Sequence, residues 1–125
     1  LQNRLGLSPG QGERVLGALL MGRNPETNLQ LRIMVALSQT CVLFRIPAGM
    51  FWAGPGRDVP VKVAVKGHPD LAGYRRSDGR AVYIEVKTKR GRTTPEQEQF
   101  LAVAKRAGCL AGIARTIKEA EEIVK

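Results

Sequence analysis

An α/β fold with a mixed central sheet flanked by helices is what this sequence predicts, and three observations predict it. Apolar residues recur at helical spacing in three segments, each opened by a capping residue. Short runs rich in β-branched residues lie between them. Two of those runs are joined through Asp78-Gly79, a pair preferred in two-residue hairpin turns. The resulting order, helix, several strands, helix, strand, helix, belongs to an α/β sandwich.

Residues 1–23 are Gly-rich and keep no sustained period; Arg14–Met21 is a candidate short helix weakened by Gly17, and the stretch reads as an extension of unknown role. The domain proper is expected over residues 24–125. Asn24 is a good N-cap and Pro25 suits the first helical position. Leu29, Ile33, Ala36 and Leu37 then form an amphipathic stripe that should end near Gln39. Thr40–Ile46 reads as a strand, Pro47–Gly49 as a turn and Phe51–Ala53 as a returning hairpin strand. Residues 54–60 are loop by composition, and Val61, Val63 and Val65 alternate as a short strand. Strands follow at Leu71–Arg76 and Arg80–Thr88, then a basic loop at Lys89–Thr93. Thr94 and Gln97 match a capping box with Pro95 in the first turn, and Gly108 is placed to end that helix. Cys109–Arg115 is a further strand, and Thr116 with Glu119 opens a last helix.

At 43% hydrophobic and 25% charged, the 125 residues are enough for one compact domain with a sizeable core. No apolar run approaches the roughly 20 residues of a membrane span, and no secretory-signal pattern opens the chain; without an initial Met, an upstream segment stays open. Lys and Arg number 20 against 11 acidic residues, a net charge of +9. Such an excess favours a polyanionic partner, because neutralised phosphates release condensed counterions; a merely solvated basic surface is the bland alternative. Cys41 and Cys109 lack metal-ligand spacing and read as free thiols of a reducing compartment, so a cytoplasmic location is expected.

The hairpin carries the chemistry. With Asp78-Gly79 as a two-residue loop, Tyr74 faces Tyr83, Ala72 faces Glu85 and Asp70 faces Lys87. Opposed residues share a sheet face, as do alternate residues along a strand. Asp70, Glu85 and Lys87 therefore gather on one face, while Leu71, Val82, Ile84 and Val86 line the other as core. An odd slip in register would separate them. Two carboxylates beside an ammonium suit phosphodiester hydrolysis. The acids, with the Val86 carbonyl oxygen as a further candidate, offer hard oxygens to Mg²⁺, and Lys87 is placed to orient a water and stabilise charge on the phosphate. Ordinary charged pairs on an exposed hairpin are the competing reading.

Gly67-His68-Pro69-Asp70-Leu71, Asp78-Gly79-Arg80 and Ile84-Glu85-Val86-Lys87-Thr88 together resemble the virus-type replication-repair nuclease (VRR-NUC) family, and Gly91-Arg92, Pro95-Glu96-Gln97 and Phe100-Leu101 continue the pattern. The likeness spans about residues 24–120. It implies the restriction-endonuclease-like fold of the PD-(D/E)xK superfamily, with Asp70 and Glu85 as metal ligands and Lys87 as catalytic lysine. Stand-alone members occur in bacteriophages, which would place this chain in a host cytoplasm. The expected activity is a Mg²⁺-dependent endonuclease, with Mn²⁺ as substitute, serving DNA repair on branched DNA such as a Holliday junction or flap. A homodimer would suit a symmetric junction.

The resemblance also matches Glu26 to a family glutamate, as a metal ligand or an ordinary first-turn acid. Gln97 matches a family glutamine near the site, as a catalytic side chain or merely the partner of Thr94 in the cap. Arg45 is a phosphate-binding or solvated strand-end charge; Lys89, Arg90 and Arg92 are expected to touch phosphate. His68, the only histidine, reads as a solvated loop residue. Met50, Phe51 and Trp52 are expected in the core or a dimer contact, with stacking on bases the other use. A non-catalytic nucleic-acid-binding module and a partner-dependent nuclease subunit are the competing functions.

Overall fold

In the computed structural model, residues 24–47, 50–62 and 64–125 are described. The Arg14–Met21 helix, Val63 and part of the Pro47–Gly49 turn lie outside them. The elements are α1 (Pro25–Ala36), β1 (Cys41–Arg45), β2 (Met50–Ala53), β3 (Val59–Lys62), β4 (Leu71–Arg75), β5 (Ala81–Val86), α2 (Pro95–Arg106), β6 (Leu110–Ala114) and α3 (Ile117–Val124).

Four strands form a mixed sheet in the order β1-β4-β5-β6, antiparallel from β1 to β5 and parallel between β5 and β6. A parallel pair needs a crossover, and α2 supplies it. One sheet face packs on α1 and α3 through Ile33, Leu37, Leu71, Val82, Ile84 and Val86, so the face expected as core is the core. On the other, α2 lays Leu101 and Ala104 over Ala111, with Tyr83 and Phe100 against them. This second face is covered only in part: Phe44 and Tyr74, on β1 and β4, are exposed. No described helix is long and apolar enough to cross a membrane. Cys41 is buried, Cys109 half-buried, and both thiols are free.

The helix signals hold, with adjustments at their ends. The Asn24 side chain accepts from the Thr27 N–H at 2.8 Å, and α1 stops at Ala36, earlier than Gln39, where the Ser38 hydroxyl turns back onto the Val35 carbonyl at 2.7 Å. Thr94 and Gln97 complete the capping box of α2. Its other end is a Schellman motif: Gly108, at φ +95°, and Cys109 donate to the carbonyls of Lys105 and Ala104. Glu119 departs from its expected role, since its carboxylate accepts from the Arg115 N–H at 2.6 Å and leaves Thr116 to cap α3 alone.

Two strand expectations are corrected. Phe51–Ala53 does not return onto the first strand: β2 pairs with β3 in a separate two-stranded sheet, Phe51 opposite Val61 and Trp52 opposite Pro60. The loop expected to Pro60 therefore ends earlier, at Asp58, and the third strand begins at Val59.

The β4–β5 register also differs. Leu71 opposes Ile84 and Tyr74 opposes Ala81, two residues from the register of a two-residue loop. The connection is four residues long, Arg76 to Gly79, closed by Arg75 N–H to the Arg80 carbonyl and Gly79 N–H to the Arg75 carbonyl, both 2.8 Å. Asp78 lacks the positive φ that a type I′ turn needs; its carboxylate is bound in a fork by the Arg75 guanidinium, at 2.6 and 3.1 Å, which holds its acid well below the usual range, at about 2. Arg75 also donates to the Val124 and Lys125 carbonyls, tying the hairpin to the end of α3. A shift of two preserves side-chain parity, so Asp70, Glu85 and Lys87 keep to one face, with Glu85 rather than Lys87 next along from the Leu71–Ile84 pair as partner of Asp70.

Candidate active site

Asp70 enters β4 from a tightly held approach. Gly67 has φ +85°, and a Cβ there would lie 2.5 Å from the Glu96 carbonyl oxygen, so the loop closes against the first turn of α2 only with glycine. His68 is not the solvated residue expected. Its ring lies 5.1 Å from that of Phe100 and 6.1 Å from that of Tyr83, and its Nδ1 is 2.8 Å from the Pro69 carbonyl. Pro69 is fully buried. These contacts fix the main chain just ahead of the acid.

The Asp70 carbonyl accepts from the Ile46 N–H at 2.8 Å, and its carboxylate Oδ2 accepts from the Val86 N–H at 2.9 Å. The second bond continues the ladder past its last paired residues, with a side chain in place of a carbonyl. Val86, expected to offer its carbonyl to a metal, thus also orients Asp70 with its N–H.

Glu85 is 1% exposed. Its Oε2 is buried with no hydrogen-bond partner, and its Oε1 lies 3.6 Å from Lys87 Nζ. Burial pushes its acid up to about 8, the hydrogen bond and repulsion from Asp70 push the same way, Lys87 opposes them, and the more distant Glu26 adds to the rise. A second negative charge beside Asp70 is therefore disfavoured at Glu85. Lys87 is itself largely enclosed, its side chain 12% exposed.

This donor set fits a hard divalent cation. Two adjacent carboxylates, one with a buried unpartnered oxygen, are costly as neighbours unless a proton or a cation lies between them. Among the described residues, no three or more His, Cys, Asp or Glu side chains are gathered to hold a metal. Glu26 comes only within electrostatic reach of Glu85, half-buried at the edge of a groove of about 500 Å³ shared with Asn24, Thr88, Lys89 and Arg90.

The remaining candidates divide. Lys89, Arg90 and Arg92 are exposed around this end of β5. Gln97 has its acceptor oxygen taken by the Thr94 N–H at 2.9 Å, so its amide N–H groups are what it has left to offer. Arg45 is exposed and donates from Nε to Oε1 of buried Gln30 at 3.0 Å, tying β1 to α1. Two residues near the site escape sequence reasoning. Gln30 stands out there only as one more position on α1. Arg115 donates through Nη1 to the Thr88 and Gly91 carbonyls, at 2.6 and 2.7 Å, and so braces the basic loop from the neighbouring strand. Its position just past the end of β6, the parallel strand beside β5, is the available signal, but reading it requires the β5–β6 register.

Residues 57–117 match the family described as the VRR-NUC domain. The match takes in Asp70, Glu85, Lys87, Gln97, Arg115 and the basic loop; it is shorter than the expected span of 24–120 and leaves out Glu26 and Arg45. No curated protein and no solved structure matches the chain.

A pH dependence follows from Glu85. Because its folded acid is raised, its contribution to stability is fully present below about 4.5 and is lost as pH rises through about 8. With divalent ions chelated, thermal unfolding midpoints of the native chain should fall across that window relative to Glu85→Gln. Parallel curves for the two proteins would place Glu85 in a solvated, unstrained setting.

Proposed function

Because residues 57–117 are a VRR-NUC domain of the PD-(D/E)xK superfamily, and so nuclease-type and directed at DNA, we propose that the chain is a Mg²⁺-dependent, structure-specific endonuclease that hydrolyses phosphodiesters in branched DNA. The observation that carries the reading is the buried, partly unpartnered Glu85 carboxyl against Asp70, with Lys87 3.6 Å away.

Asp70, Glu85 and the Val86 carbonyl would hold Mg²⁺, or Mn²⁺ in its place, with Glu26 near enough to bear on the same charge. Such a cation, when bound, neutralises phosphate charge and acidifies water. The chain's own groups do the rest. The Val86 N–H keeps the Asp70 carboxylate in one orientation. The Lys87 ammonium, shielded from solvent, holds the attacking water and faces the negative charge that builds on the phosphate. The water oxygen forms the new bond to phosphorus and gives up a proton to solvent, as the bond to the leaving sugar oxygen breaks and that oxygen takes a proton from solvent. Gln97 amide hydrogens, Arg45 and the Lys89, Arg90 and Arg92 run would hold flanking phosphates, with Arg115 keeping the run in place. A pure binding module would gain nothing from burying two acids where phosphates must approach.

Incubating the chain with branched and linear DNA, with and without Mg²⁺, tests the reading directly. Asp70→Asn and Glu85→Gln should each lower cleavage by roughly a hundredfold or more while the fold is retained. Lys87→Ala should lose comparable rate yet keep its affinity for DNA, because the ammonium acts mainly on the transition state. Wild-type turnover by either acid variant would remove the site.

Replacing Lys89, Arg90 and Arg92 together should weaken DNA binding and flatten its salt dependence, by about 0.9 in log–log slope for each duplex phosphate that is no longer neutralised. An unchanged slope would make the loop ordinary solvated surface.

A junction cut symmetrically requires two sites, so a two-fold homodimer accompanies this proposal. Exposed Phe44 and Tyr74, on the uncovered half of the sheet, are large side chains that a second copy would cover. Sedimentation at micromolar concentration should give a dimer that Phe44→Glu splits; a monomer that still nicks both strands of a junction would favour a flap or nicking endonuclease.

A further inference from the structure

The β2–β3 hairpin has no inner face. Residues 51–61 are all exposed, Phe51 at 46% and Trp52 at 59%, and neither strand packs extensively on another element. Two strands alone are marginal in water, so this hairpin needs something to lie against. Neighbouring residues on a strand point to opposite faces. Phe51 stands with Val61 on one face and Trp52 with Pro60 on the other, so the ribbon carries an aromatic ring on each side.

The placement of the hairpin points to its partner. It leaves the body beside Ile46, whose N–H holds the Asp70 carbonyl, and returns through Lys66, paired with Glu96 at 3.2 Å, to Gly67. Both of its roots therefore stand next to the candidate site. From Arg45 to Lys66 the chain carries Arg45, Arg57, Lys62 and Lys66 against Asp58 alone. At the tip, the turn from Gly54 to Arg57 is closed by the Arg57 N–H on the Gly54 carbonyl at 3.0 Å. Arg57 itself has φ +51°, the one left-handed non-glycine among the described residues. Folding alone would prefer glycine there; an arginine puts a guanidinium at the end of the arm.

We propose that the β2–β3 hairpin is a wedge for branched DNA, stacking Phe51 and Trp52 on the base-pair ends exposed where strands separate, with Arg57 on the backbone beyond. Apolar and aromatic side chains inserted at base steps are a known way to hold distorted DNA, and base–aromatic stacking needs no particular sequence. A second copy fits less well, since a two-fold contact would bury one face of the ribbon and leave the other ring in water. The inference rests on the nuclease reading for its substrate but not on cleavage for its test.

Trp52 is the only tryptophan in the chain, so its emission reports on this site alone. In chelator, without divalent ions, a synthetic Y-shaped fork should quench Trp52, and a linear duplex of the same length should not. Trp52→Ala and Phe51→Ala should each weaken fork binding by about tenfold, with duplex binding unchanged, and Trp52→Phe should restore most of it. The rings are exposed, so these variants leave the core intact. Unchanged emission with tight fork binding, or alanine variants that bind the fork normally, would overturn the wedge and leave the nuclease reading standing. Alanine variants that split a dimer while keeping their fork preference would overturn it in favour of a second copy. A chain that binds neither DNA would overturn both readings.

Discussion

Glu85 lies inside the sheet with one oxygen unpartnered and a second acid against it, and the surrounding structure makes sense as the means of holding it there. A carboxyl group in that position opposes folding. What offsets it is the apolar face directly behind: Val82, Ile84 and Val86 of the same strand are fully buried against α1 and α3. One strand thus presents its most stabilising residues to one side and its most costly residue to the other. The alternation cannot be relaxed locally, because moving Glu85 outward would move Ile84 and Val86 out of the core.

The two faces divide the work unequally. The side packed by α1 and α3 is closed and apolar. The other carries α2 over β5 and β6 and stays open over β1 and β4, where Phe44 and Tyr74 are exposed. The acids stand where the covered and uncovered halves meet. α2 contributes more than cover, since its first turn receives Gly67 and its Phe100 receives His68. The helix that shields Tyr83 therefore also steadies the chain leading into Asp70.

Much of this is legible in the sequence, and the reasons are local. Caps at Asn24, Thr94 and Thr116 announce helices because a side-chain oxygen and a backbone donor three residues on are chain neighbours in any context. The gathering of Asp70, Glu85 and Lys87 is legible because parity along a strand survives an error of two in register. What is not legible depends on contacts between distant segments. The four-residue turn is held by Arg75 gripping Asp78 and the end of α3, and no dipeptide preference contains the second of those bonds. His68 departs from expectation because its Gly and Pro neighbours say loop, whereas its environment is set by Tyr83 and Phe100, remote in sequence. The hairpin of β2 and β3 departs from it because apolar residues ordinarily imply burial, and here both of its faces stand outside the core.

The turn from Arg76 to Gly79 has a consequence for how this protein can change. Hairpin loops of two to five residues can close the same pair of strands, so the connection can shorten or lengthen while Arg75 still meets Arg80 and Glu85 stays on its own face. What cannot shift is the alignment itself, because a slip of one residue along the ladder would send Glu85 into the hydrocarbon interior and Ile84 into solvent. Variation is therefore free in the length of this connection and barred in the alignment of the strands that it joins.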